Sequence, residues 1–110
     1  MNVRELADKL QLVSATGEGG YENEVTGCYI GDLLSLAMAR VKEGTVWVTI
    51  QTNINIAAVA SLGDAACVII ADGFEPDENT AKKAEAEGIT IFSTEMSAYE
   101  IAKGLAESGI

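Results

Sequence analysis

The sequence predicts an α/β fold: a mainly parallel sheet with flanking helices on both faces, a three-layer arrangement. Three observations carry this. An apolar strand, a short polar turn and an amphipathic helix recur three times in the last two thirds of the chain. Residues 46–50 lead into 53–62, 67–71 into 77–87, and 89–92 into 97–106. Strands that alternate with helices imply parallel strands joined by crossover helices. Residues 67–71 are apolar throughout, as expected of a strand covered on both faces.

Each element can be justified in turn. Val3, Leu6, Ala7 and Leu10 keep the i, i+3, i+4, i+7 spacing of one helical face, so the chain opens with a short helix. Residues 12–15 read as a strand, 16–21 (with Gly17, Gly19 and Gly20) as a surface loop, and 24–30 as a second strand. A helix is expected from Gly31 and Asp32, with Asp32 as N-cap. Leu33, Leu34, Leu36, Ala37 and Val41 form its buried face, and Gly44 ends it.

Residues 45–50 are the strongest strand signal. Thr52 or Asn53 can cap the next helix, and Gly63 closes it. Pro76 fits the first turn of the following helix, where its missing amide costs nothing. Asp77, Glu78, Lys82, Lys83 and Glu85 make a solvated outer face, and Gly88 stops the helix. Ser97 and Glu100 match the S-x-x-E capping box, with Ile101, Ala102, Leu105 and Ala106 as the inward stripe.

Composition narrows the function. A length of 110 residues suits one domain, and 48% apolar residues exclude a disordered chain. Seventeen acids against seven bases give a formal charge of −10. Nucleic acid binding relies on Lys and Arg neutralising phosphates, and no basic run here exceeds two residues. Neither nucleic acid nor an anionic membrane surface is an expected partner. The charged opening residues do not form a signal peptide, and no apolar run nears the roughly 20 residues that cross a bilayer. A cytoplasmic protein is expected, with Cys28 and Cys67 as inert, buried, reduced thiols.

The chain has no histidine, which removes Ser-His-Asp and Cys-His catalysis and histidine zinc sites. Gly-Lys never occurs, so there is no P-loop, and the Gly17–Gly20 loop shares only glycine content with a phosphate cradle. Carboxylate pairs such as Glu22 with Glu24, or Asp77 with Glu78, are expected by chance in so acidic a chain. No catalytic residue, metal ligand or cofactor is assigned. The turns after the strands remain: Gln51, Thr52 and Asn53; Asp72 and Gly73; Ser93 and Thr94. In a parallel sheet these gather along one edge, where ligands usually bind. They are the candidate ligand-binding residues, although capping helices and turning the chain is the favoured role.

Within residues 45–110, Trp47-Val48-Thr49-Ile50-Gln51-Thr52, Val68-Ile69-Ile70-Ala71-Asp72-Gly73, Glu75-Pro76-Asp77, Glu87-Gly88-Ile89 and Ser93-Thr94 follow in a familiar order. This stretch resembles the DRTGG domain family. The front, Val3-x-x-Leu6, Leu12, Gly19-Gly20 and Glu24-Val25-Thr26, is similar to the start of the N-terminal domain of HPr kinase/phosphorylase, which shares that fold. Together they cover essentially the whole chain, read as one domain over 1–110. The family's Asp-Arg-Thr falls at Gln51-Thr52-Asn53 and its Thr-Gly-Gly at Ala71-Asp72-Gly73. The arginine is missing, and only Gly73 matches cleanly.

The resemblance implies a non-catalytic module like those attached to phosphotransacetylases and CBS-containing pyrophosphatases, where they support regulation and subunit contact. It does not reach a kinase domain, so serine-kinase activity does not carry over. The expectation is a regulatory, protein-interacting homodimer with an unidentified protein partner. The alternative is a sensor of a small anionic ligand, a nucleotide or phosphometabolite, at the carboxyl ends of the strands.

Overall fold

A computed structural model describes all 110 residues. In chain order the elements are α1 (Val3–Leu10), β1 (Val13–Ser14), β2 (Gly27–Ile30), α2 (Leu34–Arg40), β3 (Thr45–Thr49), α3 (Asn55–Gly63), β4 (Cys67–Ile70), α4 (Glu78–Ala86), β5 (Ile91–Ser93) and α5 (Ala98–Glu107). The strands form one sheet in the order β1-β5-β4-β3-β2. Strands β2 to β5 run parallel, and β1 pairs antiparallel with β5.

Every residue of β3 is β-branched or aromatic, and every one is buried, as is all of β4. Alternation splits their side chains between two cores. Val46, Val48, Cys67, Ile69 and Phe92 face α1 and α5, meeting Val3, Leu6, Ile101 and Leu105. Trp47, Val68, Ile70 and Ile91 face α2, α3 and α4, meeting Ala37, Ile56, Ala60 and Ala84. This is the three-layer arrangement expected from the sequence. Both α1 and α5 begin with complete capping boxes, Asn2 with Glu5 and Ser97 with Glu100.

Several local expectations need correction. Asp32 does not cap α2, which starts at Leu34. Its carboxylate instead accepts from Thr49 Oγ1 (2.8 Å) and the Ile50 amide (2.9 Å) on the neighbouring chain segment. Leu33 and Leu36 are exposed rather than buried, because α2 is the end helix of its layer and has a neighbour, α3, on one side only. That helix stops at Arg40, where buried Val41 turns extended, and Gly44 (φ 86°) serves the turn into β3. Gly63 lies inside α3, and Asp64 takes the left-handed cap at φ 58°. A Cβ at Gly63 would come within 2.6 Å of the Val41 carbonyl, so glycine is needed there for close approach of the backbones.

Pro76 precedes the N-cap of α4 instead of entering its first turn. Strand β5 begins two residues late, at Ile91: the Ile89 amide bonds to the end of α4, its carbonyl and the Thr90 hydroxyl accept from the glycine loop, and only the Thr90 carbonyl reaches β4, at Val68. Cys67 is buried as expected, but Cys28 is exposed, since β2 is an outer strand.

Candidate functional site

Because β2 to β5 are parallel, the turns after β3, β4 and β5 share one edge of the sheet. Two of them are tied together. After β4, Asp72 (φ 60°) and Gly73 (φ 80°) are both left-handed. Their amides donate to the Met96 carbonyl (2.9 Å) and the Thr94 carbonyl (2.8 Å). A Cβ on Gly73 would lie 2.6 Å from a Glu95 carboxylate oxygen, so this glycine serves both conformation and fit. Beside this joint is an open cleft of about 560 Å³, lined by Gly73, Glu75 and residues 93–96, with Leu10, Gln11 and Val13 as its far wall. Ser93 Oγ is buried there without a hydrogen-bond partner.

The turn after β3 stands apart from that cleft. Gln51 Nε2 donates to the Asp32 carbonyl (2.8 Å), and Asn53 Nδ2 donates to Gln51 Oε1 (2.8 Å). Asn53 Oδ1 accepts the Asn55 amide at the start of α3. The Thr52 carbonyl accepts from the Asp77 amide (3.0 Å) and from Thr80 Oγ1 (2.8 Å). The candidate residues therefore divide. Gly73, Ser93 and Thr94 share the cleft, with Asp72 behind it. Gln51, Thr52 and Asn53 form an internally bonded chain that links β3, α3 and α4.

The edge is acidic. Residues 50–54, 71–78 and 93–100 include Asp72, Glu75, Asp77, Glu78, Glu95 and Glu100, with no lysine or arginine. Two amides at the start of α5, those of Ser97 and Glu100, are engaged by the reciprocal capping box, whereas no side chain caps α4. An anion would meet carboxylates here, with no cation to offset them. A second cavity, about 440 Å³ at the opposite end of the sheet, is lined by Glu22, Glu24, Glu43 and Asp64. No three His, Cys, Asp or Glu side chains are grouped to hold a metal ion.

The sequence reading missed an apolar surface on α2 and α3. Leu33 is 65% exposed, Met38 57% and Leu62 78%. Leu34, Met38, Ala58, Val59 and Leu62 line a groove of about 250 Å³ between the two helices. The signal was present: residues 27–39 carry one charged side chain, Asp32, in a chain that is 22% charged. Partial burial of the Cys28 thiol pushes its pKa up to about 11, although the residue as a whole is exposed. Full burial pushes Cys67 up as well.

No helix is long and apolar enough to cross a membrane. No curated protein matches the chain. Among solved structures it resembles the CBS and DRTGG domains of the regulatory region of Clostridium perfringens pyrophosphatase, complexed with the activator diadenosine tetraphosphate. The TM-score is 0.79 at 13% identity, over 97% of this chain and 46% of that one. The likeness therefore concerns the fold, and this chain spans about half the length of the other. The model of the DRTGG domain matches residues 5–108, and the chain belongs to that family.

Proposed function

We propose that this chain is a non-catalytic regulatory module that works through its surface, with residues 1–110 acting as one domain that self-associates as a homodimer. One observation carries the reading: Leu33, Leu36, Met38 and Leu62 stand exposed on two adjacent helices, in an otherwise acidic chain. Contiguous exposed apolar side chains mark contact surfaces. Acid–base catalysis by carboxylates wants a pair held in differing, desolvated environments, whereas Glu75 and Glu95 are exposed. Two free thiols suit a reducing cytoplasm. Static light scattering across micromolar concentrations tests the central claim. A dimer mass is expected, and a monomer at every concentration overturns it.

A second reading has its own support in the strand-end cleft, where the Ser93 hydroxyl lacks a partner. Here the module is a small-ligand sensor. Glu75 and Glu95 on the rim accept from ligand hydroxyl and amino groups, while Leu10, Val13 and Met96 take an apolar face. A nucleoside fits that description better than a bare polyphosphate, which needs a cation to offset the carboxylates. Adenosine, ATP and ATP with magnesium should be compared by thermal shift. A rise in melting temperature lost in Glu95→Gln and retained in Asn53→Ala supports the cleft. No rise with any of the three counts against it.

A further inference from the structure

The two edges of the sheet are unequal. Strand β1 has two residues, whereas β2 has four, Gly27-Cys28-Tyr29-Ile30. Exposed edges are normally blunted by charge, proline or a bulge, and β2 has no charged residue or proline and pairs with β3 in unbroken register. The Gly27 and Gly31 amides donate inward, to the Gly44 and Val48 carbonyls. Alternation then turns the backbone groups of Cys28 and Ile30 outward, on the side of β2 that no strand covers. A Cβ added at Gly27 would meet nothing within 4 Å.

We propose that two copies of this chain join through β2, the strands pairing antiparallel about a two-fold axis so that both sheets become one. This rests on the self-association proposed above and names its surface. Electrostatics narrows the place, and the open strand edge selects within it. A second copy also carries −10, so two copies can meet closely only where carboxylates are absent. Residues 27–39, whose one carboxylate, Asp32, is engaged by Thr49 and Ile50, and residues 44–63, which carry no charge, are the two such stretches, and only the first contains an open sheet edge. Ile30 and Cys28 lie exposed on one face of the edge. Leu33 and Leu36 flank it on the other, on the outermost helix of that layer.

One register uses every outward group: Cys28 opposite Ile30 of the second copy, with Tyr29 opposite Tyr29. The two Cys28 residues are then diagonal neighbours, with about 7–8 Å between them. Cys67 is fully buried and Cys28 only in part, so Cys28 is the thiol a reagent meets, more slowly than a free one because burial raises its pKa. The test treats full-length protein with a bis-maleimide of matching span, under non-denaturing conditions. The expected product is a covalent dimer, absent in Cys28→Ser and retained in Cys67→Ala. Ile30→Lys should abolish the cross-link and halve the mass seen by light scattering. If that variant fails to fold, the wild-type cross-link still decides. A dimer that does not cross-link, and that Leu62→Lys dissociates, would move the contact to the α2–α3 groove and overturn this inference while leaving self-association intact. A wild-type monomer would overturn both.

Discussion

The two helical layers are built to different standards of closure. In one, α1 and α5 each start with a reciprocal capping box and bury a stripe of side chains against the sheet. In the other, α2, α3 and α4 have no side chain bonded at the N-cap position, and large apolar side chains of α2 and α3 face solvent. Caps and amphipathic patterning are how a short helix satisfies its own ends and surface. In the first layer only Tyr99 of α5 is a large hydrophobic side chain left exposed. The second has exposed area that a further surface can cover, and this asymmetry within one small chain is the argument for a contact module.

The comparison can be broken or sharpened by mutation. The largest effects should be equal on both faces. Trp47 and Phe92 are fully buried in opposite cores. Either one changed to alanine should lose about 3–5 kcal/mol in urea unfolding. A much smaller loss for Trp47 would mean that its layer is poorly packed inside as well as open outside. Next, Gly63→Ala forces a methyl against the Val41 carbonyl where α2 meets α3. It should destabilise by about 1–3 kcal/mol, as overpacking does.

The caps divide the layers more finely. Ser97→Ala and Asn2→Ala should each cost about 1 kcal/mol. Asp77→Ala on α4, where no side-chain cap bond exists, should stay within about 0.5 kcal/mol. The smallest effect is expected at Asp72, a non-glycine residue held left-handed at φ 60°. Asp72→Gly should stabilise by no more than a few tenths of a kcal/mol, since relief of the backbone is offset by a freer unfolded chain. All four are read from denaturation midpoints at constant slope, at one fixed protein concentration.

The sheet was legible because its centre is simple. Residues 45–49 and 67–70 are uniformly apolar or β-branched, and they form β3 and β4 within one residue of expectation. The Ser97 capping box was equally readable, being local and complete. Asp32 was misread because its position before a leucine-rich helix mimics an N-cap, while its real partners, Thr49 and Ile50, come from another strand. Helical periodicity likewise places Leu33 and Leu36 on an apolar face without telling whether anything covers it. For the candidate site, sequence located three turns at one edge. Only the paired amides of Asp72 and Gly73 reveal that the second and third are joined and the first is separate.

Trp47 is the single tryptophan of the chain, and its indole Nε1 donates to the Gly31 carbonyl at 2.9 Å. That carbonyl sits where β2 hands over to α2, beside the uncharged edge. Indole emission is sensitive to the geometry of such a hydrogen bond and to nearby water. The protein thus carries an intrinsic optical probe at the place where association would be felt. A dilution series followed by fluorescence could report occupancy of that edge without any attached dye.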